Sequence, residues 1–319
     1  MVPPRAGRVS RGHDGAGAGL NPTRNAEALD SKAALPDKSW QQALNPPVYL
    51  VSVLPGLGVP LMAPAPLRHG VGLALATLAV VLVQHAINLF NDAADWRLGA
   101  DVEKYDSWVR VHGQRPGVAM VHGGLSLLAG GLLGLGVLWQ QGQLWILSIA
   151  LPMVGLGYLY NAGSRPLSYT HLGEWVTGIC YGPGVFGCLW LVAGLDPGAA
   201  MLAGMVAFAA LAVALLLSHQ PPQIETDRHA GKLSFAVRFG AARAVLAARM
   251  LFAVFVTALC AGMLNSAPPI AVSGLGLLAL VMIALLAKGA VDPKRILLPA
   301  SGFVVVGLLV TAPAWRHLA

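Results

Sequence analysis

Between Gly117 and Tyr160 the chain carries no Asp, Glu, Lys or Arg, and a second charge-free run extends from Val71 to Gln84. A bilayer core of about 30 Å needs roughly 20 apolar residues per spanning helix, and these blocks are of that order. Hydrophobic residues make up 56% of the 319 and charged residues only 11%, where a soluble domain carries roughly 25% charged. A soluble fold is therefore excluded. The sequence predicts an all-α, polytopic membrane protein.

Charge and proline divide the apolar blocks into about nine transmembrane helices in a single bundle, expected at 47–66, 69–91, 117–138, 143–161, 172–194, 199–219, 243–265, 269–289 and 296–315. With the N-terminus cytoplasmic, every one of the 21 Lys and Arg residues except Arg68 and Arg316 falls on the inner side, as the positive-inside bias requires. Of the 14 Asp and Glu, only Asp196 falls outside. This arrangement predicts a multi-pass protein of the cell inner (plasma) membrane. It also accounts for the net charge of +7 as a topology signal, so no nucleic acid partner is implied. Glycines such as Gly130, Gly131, Gly134 and Gly136 are expected to allow close helix–helix packing.

Residues 1–46, rich in Gly, Ala, Pro and Arg, read as a disordered cytoplasmic tail ahead of a transmembrane domain over 47–319. Arg5, Arg8, Arg11 and Arg24 resemble the basic bias of a transit peptide, against which Asp14, Glu27 and Asp30 count. Cys180, Cys188 and Cys260 lie in apolar stretches without CxxC spacing, which suits buried thiols and neither zinc nor disulfides.

Chemistry concentrates in two inner segments. Asn88, Asn91, Asp92 and Asp95 are spaced i, i+3, i+4, i+7, so on a helix they share one face. Two carboxylates and two amides there suit a hard divalent cation bound together with phosphate; a solvated helix end is the plainer alternative. In the second segment, Gln223 and Asp227 share a helical face, with Arg228 and Lys232 a turn on. Acids interleaved with Arg and Lys suit a metal-bound polyanion, although an ordinary basic loop with neutralising acids has the same composition. An ion or solute transporter using the acids as a cation site is a further alternative. The acids cluster at the inner ends of spans and not at mid-bilayer, where transporter sites usually lie.

The run Asn88-x-x-Asn91-Asp92-x-x-Asp95 with Gly99-x-Asp101 resembles the first aspartate motif of the UbiA superfamily of intramembrane prenyltransferases. Gln223-Ile-Glu-Thr-Asp227-Arg-x-Ala-Gly231-Lys232 resembles the second, in the form typical of the MenA-like 1,4-dihydroxy-2-naphthoate branch. Tyr158-Leu-Tyr160, Arg165-Pro166-Leu, Tyr169 and Gly173-Glu174 match the same branch. Gln223 departs from the pattern, which usually has Asp there; the amide offers an oxygen but no charge.

The resemblance implies Mg2+-dependent transfer of a prenyl group from a prenyl diphosphate to a small aromatic acceptor, within membrane lipid and facing the cytoplasm. It names no protein partner. Asn88, Asp92, Asp95 and Asp227 would hold Mg2+ against the diphosphate, assisted by Asn91, Asp101 and Gln223. Arg165, Arg228 and Lys232 would offset the charge of the departing pyrophosphate, with Lys104, Arg110 and Arg115 nearby. Tyr158, Tyr160 and Trp175 would shield the allylic cation from water, or else serve as interface anchors. Dihydroxynaphthoate is the favoured acceptor by resemblance, with hydroxybenzoate, homogentisate or a weakened activity as alternatives.

Overall fold

The computed structural model describes residues 40–100, 107–289 and 291–315. Asp101, Lys104 and residues 1–39 of the expected tail lie outside the described residues. Among those described there is no strand, and eight helices are long and apolar enough to cross a membrane. We label the apolar helices α1 (Pro46–Met62), α2 (Gly70–Leu98), α3 (Pro116–Gln140), α4 (Leu144–Asn161), α5 (Gly173–Val192), α6 (Ala199–His219), α7 (Ala241–Gly262), α8 (Pro269–Lys288) and α9 (Pro293–Trp315). All nine expected segments are helical, but α1 is shorter than the other eight. Pro64 and Pro66 follow it closely and cannot extend the backbone ladder. A short helix at Trp40–Leu44, packed against another at Trp108–Val111, begins ahead of the expected boundary at 46.

Two pairings dominate, α2 on α3 and α6 on α7. The centre is aromatic: Phe186, Trp190, Phe208, Phe252, Phe255 and Phe303 are almost wholly buried. Val121, Leu125, Leu128 and Leu132 form the opposite case, an exposed stripe along α3 at helical spacing, as a lipid-facing surface requires. Ser52 of α1 bonds to Gln84 of α2, and the Gln84 amide also donates to Val48 O. That pairing satisfies polar groups where water is scarce.

Pro183 interrupts α5. It has no N–H to give, and the backbone from Cys180 to Gly187 widens into π-helical turns. The widened stretch packs closely on α6: a Cβ on Gly182 would lie 2.6 Å from Met205 O. The expectation for the α3 glycines holds only in part. A Cβ on Gly130 would come within 2.9 Å of Ala79 O, whereas Gly131 and Gly136 have nothing within 4 Å. Four glycines spread around one helix cannot all face the same partner. Gly182→Ala is expected to cost about 1–3 kcal/mol, because backbone cannot yield as a side chain can. Gly131→Ala is expected to be neutral. Thermal melts of the two variants in one detergent check the contrast, and equal melting temperatures would refute it.

At one end of the bundle, Arg68 N and His69 N donate to Ala193 O, and Arg68 pairs with Asp196 at 3.8 Å. Arg68, one of the two Arg assigned to the outer side, thus sits beside Asp196, the acid assigned there; Arg316, the other, lies outside the described residues. α2 runs from this end for 29 residues, about 43 Å at 1.5 Å per residue, and carries its acidic face to the other.

Candidate active site

α2 stops where Gly99 adopts φ 88 and Ala100 N donates back to Asp95 O at 3.0 Å. A glycine tolerates this left-handed cap without steric cost. The stop leaves Asn88, Asn91, Asp92 and Asp95 in the last turns, where they line a cavity of about 560 Å³. Asp92 and Asp95 are 5% and 3% exposed, so neither is a solvated helix end. Asp92 Oδ2 accepts the Trp108 N–H at 2.7 Å, and Asp95 Oδ1 accepts the Tyr169 hydroxyl at 2.8 Å. Asn91 donates to Asn161 of α4 at 3.0 Å.

The second segment begins where Pro221 and Pro222 end α6. A tight turn, Pro221–Gln223, leads into the short helix Ile224–His229. Gly231, at φ 74, then reverses the chain so that Lys232 N donates to Asp227 O at 2.8 Å. This reversal sends the Lys232 side chain into the cavity. Its Nζ lies 3.3 Å from Asp95 Oδ2 and 3.9 Å from Asp227 Oδ1, bridging the two acidic segments. The ammonium also sits over the Tyr169 ring, 5.2 Å from its centroid. Ser234 Oγ donates to Asp227 Oδ2 at 2.8 Å. Burial holds the Asp227 carboxyl above its ordinary range, while Lys232 and the Ser234 hydrogen bond pull it down.

Of the residues expected at the site, Asn88, Asn91, Asp92, Asp95, Tyr160, Gln223, Asp227 and Lys232 line this one cavity. Others do not reach it. Arg228 is exposed and pairs with Glu225 at 2.7 Å, because on the helix Ile224–His229 it lies one step, about 100°, around from buried Asp227. Arg165 and Arg115 are exposed outside the lining. Tyr158 is 47% exposed, its ring edge-on to Phe90 at 6.1 Å, and Trp175 is 71% exposed. Neither shields the cavity. Arg110, expected near the pyrophosphate, is instead buried with its guanidinium 5.6 Å from the Trp96 ring centroid.

Several residues with a part here drew no role from the sequence. Tyr169 holds Asp95 and Ser234 holds Asp227. Glu174 Oε1 accepts from Phe235 N at 2.8 Å and from Gln220 Nε2 at 3.0 Å, and Gln220 Oε1 accepts from Ala236 N at 3.0 Å. Glu174 and Tyr169 stood inside matched motifs, which was a signal; Gln220 and Ser234 gave none. Ser168 also lines the wall, 5% exposed, and its hydroxyl has no hydrogen-bond partner among the described residues.

Among the described residues no three His, Cys, Asp or Glu side chains are grouped to hold a metal by themselves. The donor set is carboxylate and amide oxygen, the chemistry of a hard cation that keeps part of its shell for phosphate. Lys232, already seated between two carboxylates, shows that positive charge is accommodated there. The Ser168 hydroxyl is a further donor fit for an anionic ligand. The residues therefore fit Mg2+ shared with a diphosphate.

The profile of the UbiA prenyltransferase family matches residues 50–297. The chain belongs to the UbiA prenyltransferase family. It is a multi-pass membrane enzyme of that family, which removes the transporter alternative. A 2-carboxy-1,4-naphthoquinone phytyltransferase from Synechocystis is 30% identical over 223 residues, 68% of this chain and 71% of the relative. A 1,4-dihydroxy-2-naphthoate octaprenyltransferase from Mycobacterium tuberculosis is 30% identical over 222 residues, 67% of this chain and 74% of the relative. The fold is shared with a UbiA homologue from Archaeoglobus fulgidus solved bound to DMAPP and Mg2+. That likeness has a TM-score of 0.60 at 19% identity, covering 86% of this chain and 99% of that one.

Proposed function

We propose that this UbiA-family enzyme transfers a prenyl group from a prenyl diphosphate to 1,4-dihydroxy-2-naphthoate, in a plasma membrane and from the cytoplasmic side. The observation that carries the reading is the convergence of three buried carboxylates, Asp92, Asp95 and Asp227, with Lys232 in one cavity. The naphthoate preference rests on the names of the two relatives. The cytoplasmic side rests on the placement of Lys and Arg.

In this reading Asn88, Asp92, Asp95 and Asp227 hold Mg2+, with Asn91 and Gln223 as weaker oxygen donors. Bound there, Mg2+ would neutralise charge developing on the leaving pyrophosphate. Lys232 supplies a second positive charge to the same oxygens. Tyr169 and Ser234 fix the Asp95 and Asp227 carboxylates, so little reorganisation is needed at the moment of reaction. Tyr160 and Tyr181, both lining the cavity, face the allylic cation with aromatic surface in place of water.

The test is Mg2+-dependent transfer of a labelled prenyl diphosphate to a panel of naphthoate, hydroxybenzoate and homogentisate acceptors. Product with the naphthoate, lost on chelation, is the expected outcome. Preference for another ring would overturn the acceptor, and undiminished transfer in excess chelator would overturn the cation. Gln223→Asp adds a charge to the cation site. It is expected to lower the Mg2+ concentration for half-maximal rate by about 3-fold or more, since ligand charge tunes affinity for hard cations. An unchanged Mg2+ dependence would place Gln223 outside the coordination shell.

A further inference from the structure

One buried amide beside the active site has no part in the transfer reaction itself. Asn161 is the last residue of α4, which ends as Ala162 turns extended, with ψ 154. It is 6% exposed and faces α2. Its side chain straddles one turn of that helix. Asn161 Nδ2 donates to Ile87 O at 3.1 Å, and Asn161 Oδ1 accepts from Asn91 Nδ2 at 3.0 Å. The two helices meet closely here: a Cβ on Gly157, a turn earlier on α4, would lie 3.4 Å from Ile87 Cδ1.

The direction of these two bonds is fixed from one end. A side-chain amide has an oxygen that accepts and an NH2 that donates. Ile87 O is a backbone carbonyl and can only accept, so the Asn161 group beside it must be the NH2. The Asn161 oxygen then points to Asn91, and the Asn91 group that meets it must in turn be an NH2. Reversing the pair would leave the Asn161 oxygen 3.1 Å from Ile87 O, two acceptors face to face at a buried site. Asn91 also lines the cavity. With its NH2 committed to α4, the group it has left for that cavity is its oxygen. A hard cation is attracted by that oxygen and repelled by an NH2.

We propose that Asn161 is a positioning residue, which fixes the Asn91 amide with its oxygen toward the cation of the active site. The inference rests on the cation reading above. Partners behind metal ligands set ligand orientation, and through it affinity. A bond that merely ties two helices would instead act on stability, whatever stands at position 91.

The test is Mn2+ binding to the full-length protein, read by electron paramagnetic resonance with a thio-substituted prenyl diphosphate that does not ionise. Asn161→Leu removes the acceptor and is expected to raise the Mn2+ dissociation constant about 10-fold. Asn161→Asp keeps it: ionised, the carboxylate accepts from Asn91, and protonated, it also donates to Ile87 O. This variant is expected to stay within about 3-fold of the parent. Asn91→Ala is expected to weaken binding about 10-fold by itself. In that background Asn161→Leu is expected to change the constant by less than about 2-fold, because its effect passes through Asn91. Parent-like binding by Asn161→Leu or by Asn91→Ala would overturn the proposal. So would a further loss of about 10-fold in the double variant, since Asn161 would then act by another route. Asn161→Ala removes the acceptor without adding bulk, and takes the place of Asn161→Leu, with the same outcomes, should the latter not fold. Asp92→Ala separates the two levels. If it binds Mn2+ as the parent does, the cation reading has failed; if it loses Mn2+ while Asn161→Leu does not, only the role of Asn161 has.

Discussion

Asp95→Ala is expected to lower kcat/KM for prenyl transfer by about 1000-fold or more. Removing one preorganised charge that meets a developing charge costs about 100- to 1000-fold. Asp95 does more than carry charge, because its two oxygens engage Tyr169 and Lys232 separately. Truncation removes the charged hydrogen bond that the Tyr169 hydroxyl makes to Asp95, at about 1.5–3 kcal/mol, and removes the nearer carboxylate of the pair that centres Lys232. Each 1.36 kcal/mol is about tenfold in rate. Asp95→Asn keeps an acceptor for Tyr169 but no charge, and is expected between the two. Steady-state rates across a Mg2+ titration measure this. Retention of more than about a tenth of the parent kcat/KM by Asp95→Ala would exclude a direct role.

Glu174→Ala is expected to damage stability and activity together, by a different route. The N-terminal N–H groups of a helix have no partner inside it. Ser234 precedes the helix Phe235–Phe239, yet its side chain does not cap it; the hydroxyl serves Asp227 instead. Capping falls to Glu174, which accepts Phe235 N, and to Gln220, which Glu174 orients and which accepts Ala236 N. Without Glu174, the Ser234 hydroxyl, at the N-cap position, is expected to turn to those donors and to release Asp227. The loss of charged hydrogen bonds is expected to cost about 1.5–3 kcal/mol of stability. The release of Asp227 is expected to slow transfer about 100-fold, since catalytic groups displaced by an ångström lose that much. Ser234→Ala should show the activity loss with little change in melting temperature. If Glu174→Ala melts with the parent and keeps its rate, the clamp has no part in either property.

Much of this protein was legible in its sequence because the relevant signals are local. A block of apolar residues long enough for the bilayer must become a helix, since no other open structure satisfies its backbone in lipid. The i, i+3, i+4, i+7 spacing of Asn88, Asn91, Asp92 and Asp95 becomes one face of α2 wherever that helix goes, and Gly99 marks where it stops. Gln223, Asp227 and Lys232 were likewise recognisable as a motif.

What stayed hidden depended on direction and convergence in space. Arg228 and Lys232 stood as equals in sequence, a turn apart. One left-handed residue, Gly231, turns Lys232 into the cavity, while Arg228, a helical step past Asp227, stays beside Glu225 on the surface. Lys232 and Asp95 are 137 positions apart, and Asn161 and Asn91 are 70 apart. Periodicity fixes which residues share a face, because each helix is set by its own backbone bonds. Which faces meet is decided by close approaches such as Gly182 on Met205 and Gly130 on Ala79, and only the packed bundle contains those.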